Sequence, residues 1–499
     1  MECRSGAAAP PIGVWVSVRE LAPHDPLRLY AALERESGRG EVFLFESLSG
    51  PERGRRWAVV GHGRLAEVRV FAGRVEIEGA APLRAHLAAA ARAAGIAEGR
   101  LRRPEQVWEL LRRAQALFAV SGEGPGELPD DSYAFGFLAA LGYEAAWHMD
   151  ALPERSGAVG GPDMTFTLYR ETVWYDRREG RVRLLSARSA AFPDAAAVPD
   201  VAALLARPAE DLTDCPEAPA PRSVRDSVDR GTFLGWARRC LEHIQVGDIY
   251  QIQIGHRVDV ATDLTPVEVY RRLRHRNPSP YMYLAPRAGD TLIGASPELF
   301  FRTEGGSIAM RPIAGTTRLV ASEEENQLRV KEMLASTKEQ AEHVMLVDLC
   351  RNDIGRVCRP GSLAVDDLMV VEAYSHVFHM VSTVTGDLEP DADVWRSLCA
   401  TFPAGTMTGA PKLRAMEIID GLEREPRGMY AGAVGLIDVR GWSELALCIR
   451  TVVHDGRTGT YSTQSSAGIV AESTPEAEWQ ETLAKMGAAY WALTGKELA

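Results

Sequence analysis

Two pairs of glutamates stand out because the members of each pair lie three residues apart in a segment typical of a helix. Glu339 and Glu342 form the first pair, and Glu478 and Glu481 form the second, with Lys485 one turn later. Residues three apart share one face of a helix. Four carboxylates from two helices would suit Mg²⁺, a hard cation that prefers oxygen ligands. The alternative is two solvated acidic faces, because such pairs are common on helix surfaces.

Three further side chains could do chemistry, and each also has a structural interpretation. His379 lies in an apolar strand pattern, where a histidine is more often a satisfied core residue than a catalyst. Arg450 has apolar neighbours on both sides, and a buried arginine needs an anion from the protein or from a ligand. Glu298 follows Ser-Pro at the start of a strand. Its residue type alone does not separate a catalytic acid from a surface acid.

The elements that must position these groups change in character along the chain. Upstream, strands alternate with Ala-rich helices, and two hairpins are predicted, one around Gly61–Gly63 and one joining Val173–Tyr175 to Val182–Leu185. Downstream, helices are predicted at 232–246, 322–350, 411–423 and 475–493. The alternation of apolar and polar residues predicts strands near 247–258, 291–301, 307–312, 377–386, 432–439, 443–453 and 459–470.

Strands and helices without a regular alternation favour an α+β fold. We predict antiparallel β-sheets packed as a sandwich, with helices outside. Residues 187–227 are rich in Ala, Pro and Asp, which is typical of a linker. The predicted organisation is therefore an N-terminal regulatory or structural domain at 1–186, a linker at 187–227 and a catalytic domain at 228–499.

The bulk composition narrows the partners and the compartment. The 499 residues carry a formal net charge of −12, which argues against nucleic acid or an anionic membrane as a partner. The seven cysteines form no C-x-x-C motif, and their odd number favours free thiols in a reducing cytosol. No apolar run reaches 18 residues, and the first eleven residues lack the apolar core of a signal peptide. We predict a cytoplasmic protein.

Nine stretches of the C-terminal half carry a recognisable pattern in unbroken order. They are GDIYQIQI (247–254), NPSPYMYL (277–284), GASPELF (294–300), RPIAGT (311–316), KEQAEHVMLVDLCRNDIGRV (338–357), FHMVS (378–382), FPAGTMTGAPK (402–412), MYAGAVG (429–435) and AGIVAESTPEAEWQET (467–482). Together these stretches resemble the chorismate-utilising enzymes and most specifically component I, the large subunit, of anthranilate synthase. The segment FLFES (43–47) is similar to that family's tryptophan-sensing segment.

The resemblance implies a role for each candidate residue in the amination of chorismate, a dicarboxylate with a leaving hydroxyl at C4. Glu298 would be the general acid that protonates this hydroxyl. Tyr430 and Arg450 would clamp the enolpyruvyl carboxylate. Mg²⁺ would bind the ring carboxylate, held by Glu342 and Glu481 with Glu339 and Glu478 beside them. The remaining implied site residues are Thr316, His379 and Thr406 along the ring, with His379 helping to remove the C2 proton, and Gln251, Ala467, Gly468 and Lys485 in the substrate site.

Two positions separate this chain from sister reactions of the family. Relatives that add water carry a lysine base where this chain has Gln251, and relatives that make 4-amino-4-deoxychorismate typically carry a nucleophilic lysine where it has Ala314. Ammonia needs no activating base because it is already a nucleophile. Amination at C2 followed by loss of pyruvate would give anthranilate, on the pathway to tryptophan. No cysteine has the G-x-C-x-G context of a glutaminase nucleophile, so a separate glutaminase subunit, or ammonia in solution, would supply the nitrogen.

Two departures from the family pattern leave the product open. Thr317-Arg318-Leu319-Val320 replaces the usual continuation after PIAGT, and the strand after Gln251 ends IGHR where L-S-Q-R is common. The first alternative is therefore a synthase that stops at 2-amino-2-deoxyisochorismate. An alternative of another class is a catalytically silent subunit that only binds chorismate. The resemblance also implies feedback inhibition by tryptophan in a pocket formed by Leu44, Glu46, Ser47, Pro280, Tyr281 and Met282.

Overall fold

The computed structural model describes residues 12–50, 57–123, 128, 132–155, 160–193, 198–208 and 211–498. The first eleven residues, on which part of the localisation prediction depends, lie outside this part of the chain, as does Cys3. Within the described ranges no helix has both the length and the apolar character needed to cross a membrane. The six described cysteines are free thiols, as predicted.

The first eight described strands lie in the N-terminal half. They are β1 (Ile12–Leu21), β2 (Val42–Glu46), β3 (Trp57–Phe71), β4 (Arg74–Gly79), β5 (Phe118–Glu123), β6 (Gly136–Leu141), β7 (Met164–Asp176) and β8 (Arg181–Arg188). The remaining strands are β9 (Ser223–Asp226), β10 (Gln251–Ala261), β11 (Tyr281–Arg287), β12 (Asp290–Ser296), β13 (Leu299–Glu304), β14 (Ser307–Met310), β15 (Ile313–Arg318), β16 (Ala364–Ala373), β17 (Val377–Asp387), β18 (Gly409–Ala410), β19 (Ala433–Asp438), β20 (Ser443–Leu447), β21 (Thr451–Asp455) and β22 (Thr460–Ile469).

The helices pack against this sheet. They are α1 (Pro26–Ser37), α2 (Ala81–Ala93), α3 (Glu105–Ala116), α4 (Val201–Leu205), α5 (Arg230–Gln245), α6 (Pro266–Arg276), α7 (Glu323–Ala335), α8 (Thr337–Gly355), α9 (Val394–Thr401), α10 (Lys412–Leu422) and α11 (Pro475–Thr494). Short 3₁₀ turns lie at Tyr143–His148 and Gly405–Met407.

The strands of both halves belong to one hydrogen-bonded sheet. Neighbouring strands run β10–β22–β21–β12–β11–β2–β3–β7–β6–β19–β20–β13–β14–β17. Within the described residues every strand pair is antiparallel except β1–β5. The predicted antiparallel α+β architecture with packed helices is therefore confirmed. Strands of the N-terminal half lie in the middle of this series, while the domain boundaries proposed from composition stay a prediction.

The hairpin predicted around Gly61–Gly63 is wrong, because β3 runs straight through it. A Cβ atom on Gly61 would lie 2.0 Å from Cε1 of Phe43, so glycine serves here to admit an aromatic ring from β2. Gly63 has a φ of 72° next to a bulge between Arg64 and Ala66. Close packing and a bulge, rather than a turn, explain these glycines. The second predicted hairpin is confirmed as the pairing of β7 with β8.

The segment predicted as a linker contains ordered elements in its described parts. Helix α4 buries Val201 and Leu204 in the core, and β9 pairs with β10. The predicted helix at 322–350 is two helices, because Ser336 ends α7 and its side chain caps α8 by accepting from the backbone N–H of Glu339 at 3.3 Å. That cap places Glu339 and Glu342 in the first two turns of α8.

The strand predicted at 443–453 is also interrupted. β20 ends at Leu447 and β21 begins at Thr451, so Arg450 lies in the break and not in a central strand. The backbone φ of Arg450 is 51°, in the left-handed region that non-glycine residues seldom adopt. Such outliers cluster at functional sites. The break turns the Arg450 side chain towards α11, where Nη1 donates to the carbonyl oxygen of Lys485 at 2.9 Å.

Candidate active site

Glu298 lies in the short connection between β12 and β13 and is only 8% exposed. Its Oε1 accepts a hydrogen bond from Thr406 Oγ1 at 3.3 Å. Burial raises the pKa of Glu298 to about 8, against the opposing effects of the Thr406 hydrogen bond and the charge of Lys485. The carboxyl group is therefore mainly protonated at neutral pH, which is the state that a general acid requires.

The four predicted metal ligands lie on the first turns of α8 and α11. Burial raises the pKa of Glu342, and the charges of Glu339, Glu481 and Glu478 raise it further. The two pairs of acids therefore interact across the gap between the helices. Glu478 is 6% exposed, and its Oε2 has no hydrogen-bond partner among the described residues. A buried carboxylate oxygen without a partner is costly unless a cation or a donor approaches it.

The carboxylates do not close around a common point in this structure. No group of three or more His, Cys, Asp or Glu side chains in the described ranges is arranged as a metal site. Lys485 Nζ lies 2.6 Å from Glu481 Oε1, and Lys338 Nζ lies 3.7 Å from Glu342 Oε1. Two lysines therefore supply the positive charge. The donor set and the unpartnered Glu478 oxygen still fit a hard divalent cation.

A cluster of cationic and hydroxyl groups lies between β22 and α11. Ser466 Oγ donates to Gln253 Oε1 at 2.9 Å and accepts from Tyr430 Oη at 2.5 Å. Lys485 Nζ donates to the backbone oxygen of Ser466 at 3.1 Å. Arg450 reaches the same turn of α11, and burial lowers its pKa without removing its charge. The predicted residues Tyr430, Arg450 and Lys485 are thus brought together where an anion could bind.

Ser466 and Gln253 were missed by the sequence analysis, although Gln253 belongs to the motif GDIYQIQI and Ser466 directly precedes the motif that begins at Ala467. Ala467 is fully buried and pairs with Ile254 of β10. A Cβ atom on Gly468 would lie 2.7 Å from Gln253 Nε2 and 3.4 Å from Gln251 Nε2. Glycine at this position therefore leaves room for the amide ends of the two glutamines, and a larger residue would displace the amide of Gln253. Gln251 is buried, and its Oε1 has no hydrogen-bond partner among the described residues.

Thr316 and His379 face each other on β15 and β17. Thr316 Oγ1 lies 3.0 Å from His379 Nδ1, next to a bulge at Gly315, whose φ is 59°. Burial lowers the pKa of His379 to about 4, and the charge of Arg450 contributes to the lowering. The imidazole is therefore neutral at physiological pH, and its cationic form is disfavoured.

A cavity of about 560 Å³ lies between the N-terminal and C-terminal halves, apart from the site of Glu298. Its lining includes Glu46, Ser47, Pro280, Tyr281 and Met282, five of the six residues predicted for an inhibitor pocket. Leu44 is the exception, because it is fully buried in the apolar core and does not line the cavity. The carboxylate of Glu46 accepts four hydrogen bonds from three side chains, those of Arg177, Tyr270 and Arg274.

The model of the chorismate binding enzyme family matches residues 73–490, and the chain belongs to this family. A 2-amino-4-deoxychorismate synthase of Streptomyces globisporus is 47% identical over 481 residues, which cover 95% of each chain. Anthranilate synthase component 1 of Haloferax volcanii is 41% identical over 362 residues, which cover 70% of this chain and 69% of the relative.

The fold is also found in solved structures. Anthranilate synthase component I from Streptococcus pneumoniae superposes with a TM-score of 0.69 at 28% identity, covering 87% of this chain and 92% of that one. The protein is thus a chorismate-utilising enzyme, in agreement with the sequence analysis. Relatives of similar fold are named for different products, so the family leaves the reaction within it open.

Proposed function

We propose that the protein aminates chorismate at C2 with ammonia and releases 2-amino-2-deoxyisochorismate. The observation that carries the amination is Glu298, a buried carboxylic acid whose pKa of about 8 keeps it protonated beside the cationic cluster. Glu298 would give its proton to the C4 hydroxyl, which leaves as water. Ammonia then forms the C2–N bond while the ring double bonds shift, and the proton it releases restores the acid.

The side chains around the ring would orient the substrate. Tyr430 and Arg450 would bind the enolpyruvyl carboxylate, since a guanidinium group offers paired donors to a carboxylate. Mg²⁺, held by Glu342 and Glu481 with Glu339 and Glu478 beside them, would draw electron density towards the ring carboxylate when bound. The side-chain oxygen Oε1 of Gln251, which has no hydrogen-bond partner among the described residues, would accept a hydrogen bond from ammonia once the side-chain amide has rotated.

The product is assigned from two observations. The 47% identical relative is named a 2-amino-4-deoxychorismate synthase, and this name describes the same constitution as 2-amino-2-deoxyisochorismate, with an amino group at C2 and no hydroxyl at C4. In addition, His379 would be the base for pyruvate loss, and its pKa of about 4 makes it a weak acceptor for the C2 proton. The altered sequence after Thr316 points the same way.

Anthranilate is the second candidate product. The sequence analysis placed it first, and relatives at 41% and 35% identity are named anthranilate synthase component 1. His379 is present and neutral, so the group needed for the last step is in place. Formation of anthranilate would add loss of the enolpyruvyl group as pyruvate to the same amination.

The product assay separates these candidates. Purified protein with chorismate, Mg²⁺ and ammonium salt is expected to form an aminated, non-aromatic product, followed by mass spectrometry, with little pyruvate released. Fluorescent anthranilate with an equal amount of pyruvate would support the second candidate. Absence of chorismate consumption would contradict both and leave a silent binding subunit.

A glutaminase partner follows from the same chemistry. The chain has no cysteine in a G-x-C-x-G context, and the name component 1 of its relatives implies a second component. We infer a hetero-oligomer in the cytoplasm with a glutaminase subunit that supplies ammonia. In the product assay, glutamine in place of ammonium salt is therefore expected to give no turnover with this chain alone.

Binding of tryptophan in the 560 Å³ cavity stays a prediction. The cavity joins β2 of the N-terminal half to β11 and β19 of the C-terminal half, so an occupant would contact strands that lead into the active site. Tryptophan added to the amination assay is expected to raise the chorismate concentration needed for half-maximal rate. Phenylalanine serves as the control ligand, and an unchanged rate at saturating tryptophan would exclude this form of regulation.

A further inference from the structure

Arg427 is a buried arginine with no role in the reaction described above. It is 5% exposed, and its guanidinium group donates to three partners. Nε and Nη2 donate to the two carboxylate oxygens of Glu423, each at 2.8 Å. Nη1 donates to the carbonyl oxygen of Met407 at 2.9 Å, and Nη2 donates to that of Gln253 at 2.7 Å. One planar group therefore joins a helix end, a loop and a strand.

Both carbonyl partners belong to segments that carry active-site residues. Met407 directly follows Thr406, which hydrogen-bonds to the general acid Glu298. Gln253 accepts from Ser466 through its side chain, and Ser466 in turn accepts from Tyr430. The guanidinium group thus fixes the backbone of the two segments on which the acid and the carboxylate clamp depend.

Two tyrosine rings lie against the same guanidinium group. Its Cζ is 4.7 Å from the ring centroid of Tyr143 and 5.8 Å from that of Tyr430. Tyr143 belongs to the N-terminal half, and its backbone N–H donates to the carbonyl oxygen of Gly428 at 2.7 Å. Glu144 accepts from the N–H of Gly428 at 3.3 Å. The N-terminal half therefore contacts Arg427 and the start of the loop that carries Tyr430.

We propose that Arg427, held by Glu423 and Tyr143, is a positioning residue that sets Tyr430 and the Thr406 segment for chorismate. The inference rests on the proposed function, because it takes Tyr430 as part of the substrate clamp. A guanidinium group suits this role because its rigid fork reaches several acceptors at once, whereas lysine offers a single point charge. Glu423 keeps the buried charge neutralised. Tyr143 connects the N-terminal half of the chain to this arginine through its ring.

The test compares two substitutions of Tyr143. Its hydroxyl oxygen is buried with no hydrogen-bond partner among the described residues, so Tyr143→Phe keeps the ring and removes no bond. Tyr143→Leu removes the aromatic face. We expect Tyr143→Leu to weaken chorismate binding roughly tenfold or more, since small misplacements of a positioned group have effects of this size. Tyr143→Phe should match the wild type, and the KM for ammonia should not change in either variant.

Arg427→Lys gives an independent test, with Arg440→Lys as its matched control. Arg440 forms an ion pair with the buried Asp438 at the far end of β19, away from the substrate clamp. Both variants should lower the melting temperature. Only Arg427→Lys should raise the KM for chorismate and lower kcat.

Chorismate binding is measured by calorimetry as well as by turnover, so that the two proposals can fail separately. If the wild type binds chorismate and Tyr143→Leu and Arg427→Lys bind it equally well, the positioning role is overturned whatever the product. If the wild type neither binds nor converts chorismate, the proposed function fails and the positioning role fails with it. An effect of Tyr143→Phe as large as that of Tyr143→Leu would also contradict the role given to the ring.

Discussion

Replacement of Glu298 by glutamine is expected to lower kcat for amination by roughly 10²- to 10⁴-fold while chorismate still binds. Glutamine has nearly the same shape but cannot release a proton to the departing C4 hydroxyl. The cluster of cationic and hydroxyl groups formed by Tyr430, Arg450 and Lys485 is not altered by the change. The affinity for chorismate should therefore be preserved. The measurement is single-turnover kinetics beside calorimetric titration with chorismate.

The pH dependence of kcat/KM tests the role of Glu298 as general acid in the wild-type protein, without a substitution. Since the pKa of Glu298 is about 8, kcat/KM should fall as the pH rises through 8, provided that the concentration of free ammonia is held constant. In the unfolded chain the pKa of this carboxyl is 4.5, so the folded state binds more protons than the unfolded state between pH 4.5 and pH 8. The free energy of unfolding that Glu298 contributes is therefore lost as the pH rises through that range.

Thr406→Val is the matched control for these experiments. It removes the hydrogen bond to Glu298 Oε1 but leaves the acid in place. Because that bond lowers the pKa of Glu298, its loss should move the alkaline limb of the profile to higher pH and reduce kcat far less than Glu298→Gln does. Near-normal turnover by Glu298→Gln would show that another group protonates the leaving hydroxyl.

Replacement of Glu342 by glutamine is expected to raise the Mg²⁺ concentration for half-maximal activity by roughly 100-fold, at the upper end of the effects seen for groups that only support metal ligands. The same change should raise the melting temperature in the absence of Mg²⁺, because Glu339, Glu478 and Glu481 no longer repel a fourth charge. Wild-type protein should gain stability on addition of Mg²⁺ by mass action, whereas the variant should gain little. Thermal unfolding across a Mg²⁺ titration measures both effects.

Asp348→Asn provides the control on the same helix. Asp348 is exposed on α8 and lies 2.9 Å from Arg351, away from the acids that face α11. Its replacement should leave the Mg²⁺ response unchanged. If Glu342→Gln shows the wild-type Mg²⁺ dependence in both activity and melting temperature, Glu342 is not a metal ligand.

Much of the local structure could be predicted because its causes are local. Helix α5 follows from the spacing of Phe233, Trp236, Ala237 and Cys240, which are buried on one face after the N-cap Asp229. The alternation along β10 likewise follows from the sheet with one face turned to the core. The spacing of the glutamate pairs placed them on helices, and the structure brings the two helices together.

The errors came where a residue distant in sequence decides the local conformation. From the sequence alone, Gly61 was predicted to lie in a turn. In the structure it is a strand residue, because the ring of Phe43 from another strand occupies the space that a side chain at position 61 would need. Arg450 reads as a strand residue, but the break between β20 and β21 turns it to α11. Leu44 directly precedes the cavity-lining residues 45–47 yet packs in the core. Local periodicity contains no information on these contacts.

The sequence by itself determined the family, the antiparallel α+β architecture and a set of acids, amides and one arginine whose chemistry suits an anionic substrate. Only the tertiary structure decided the proton state of Glu298, because its pKa depends on burial among β12, β13 and the Thr406 segment, which lies more than a hundred positions away. It also decided the place of Arg427 and Tyr143, since their interaction joins the two halves of the chain. Desolvation and contact across long sequence separations arise only when the chain has folded.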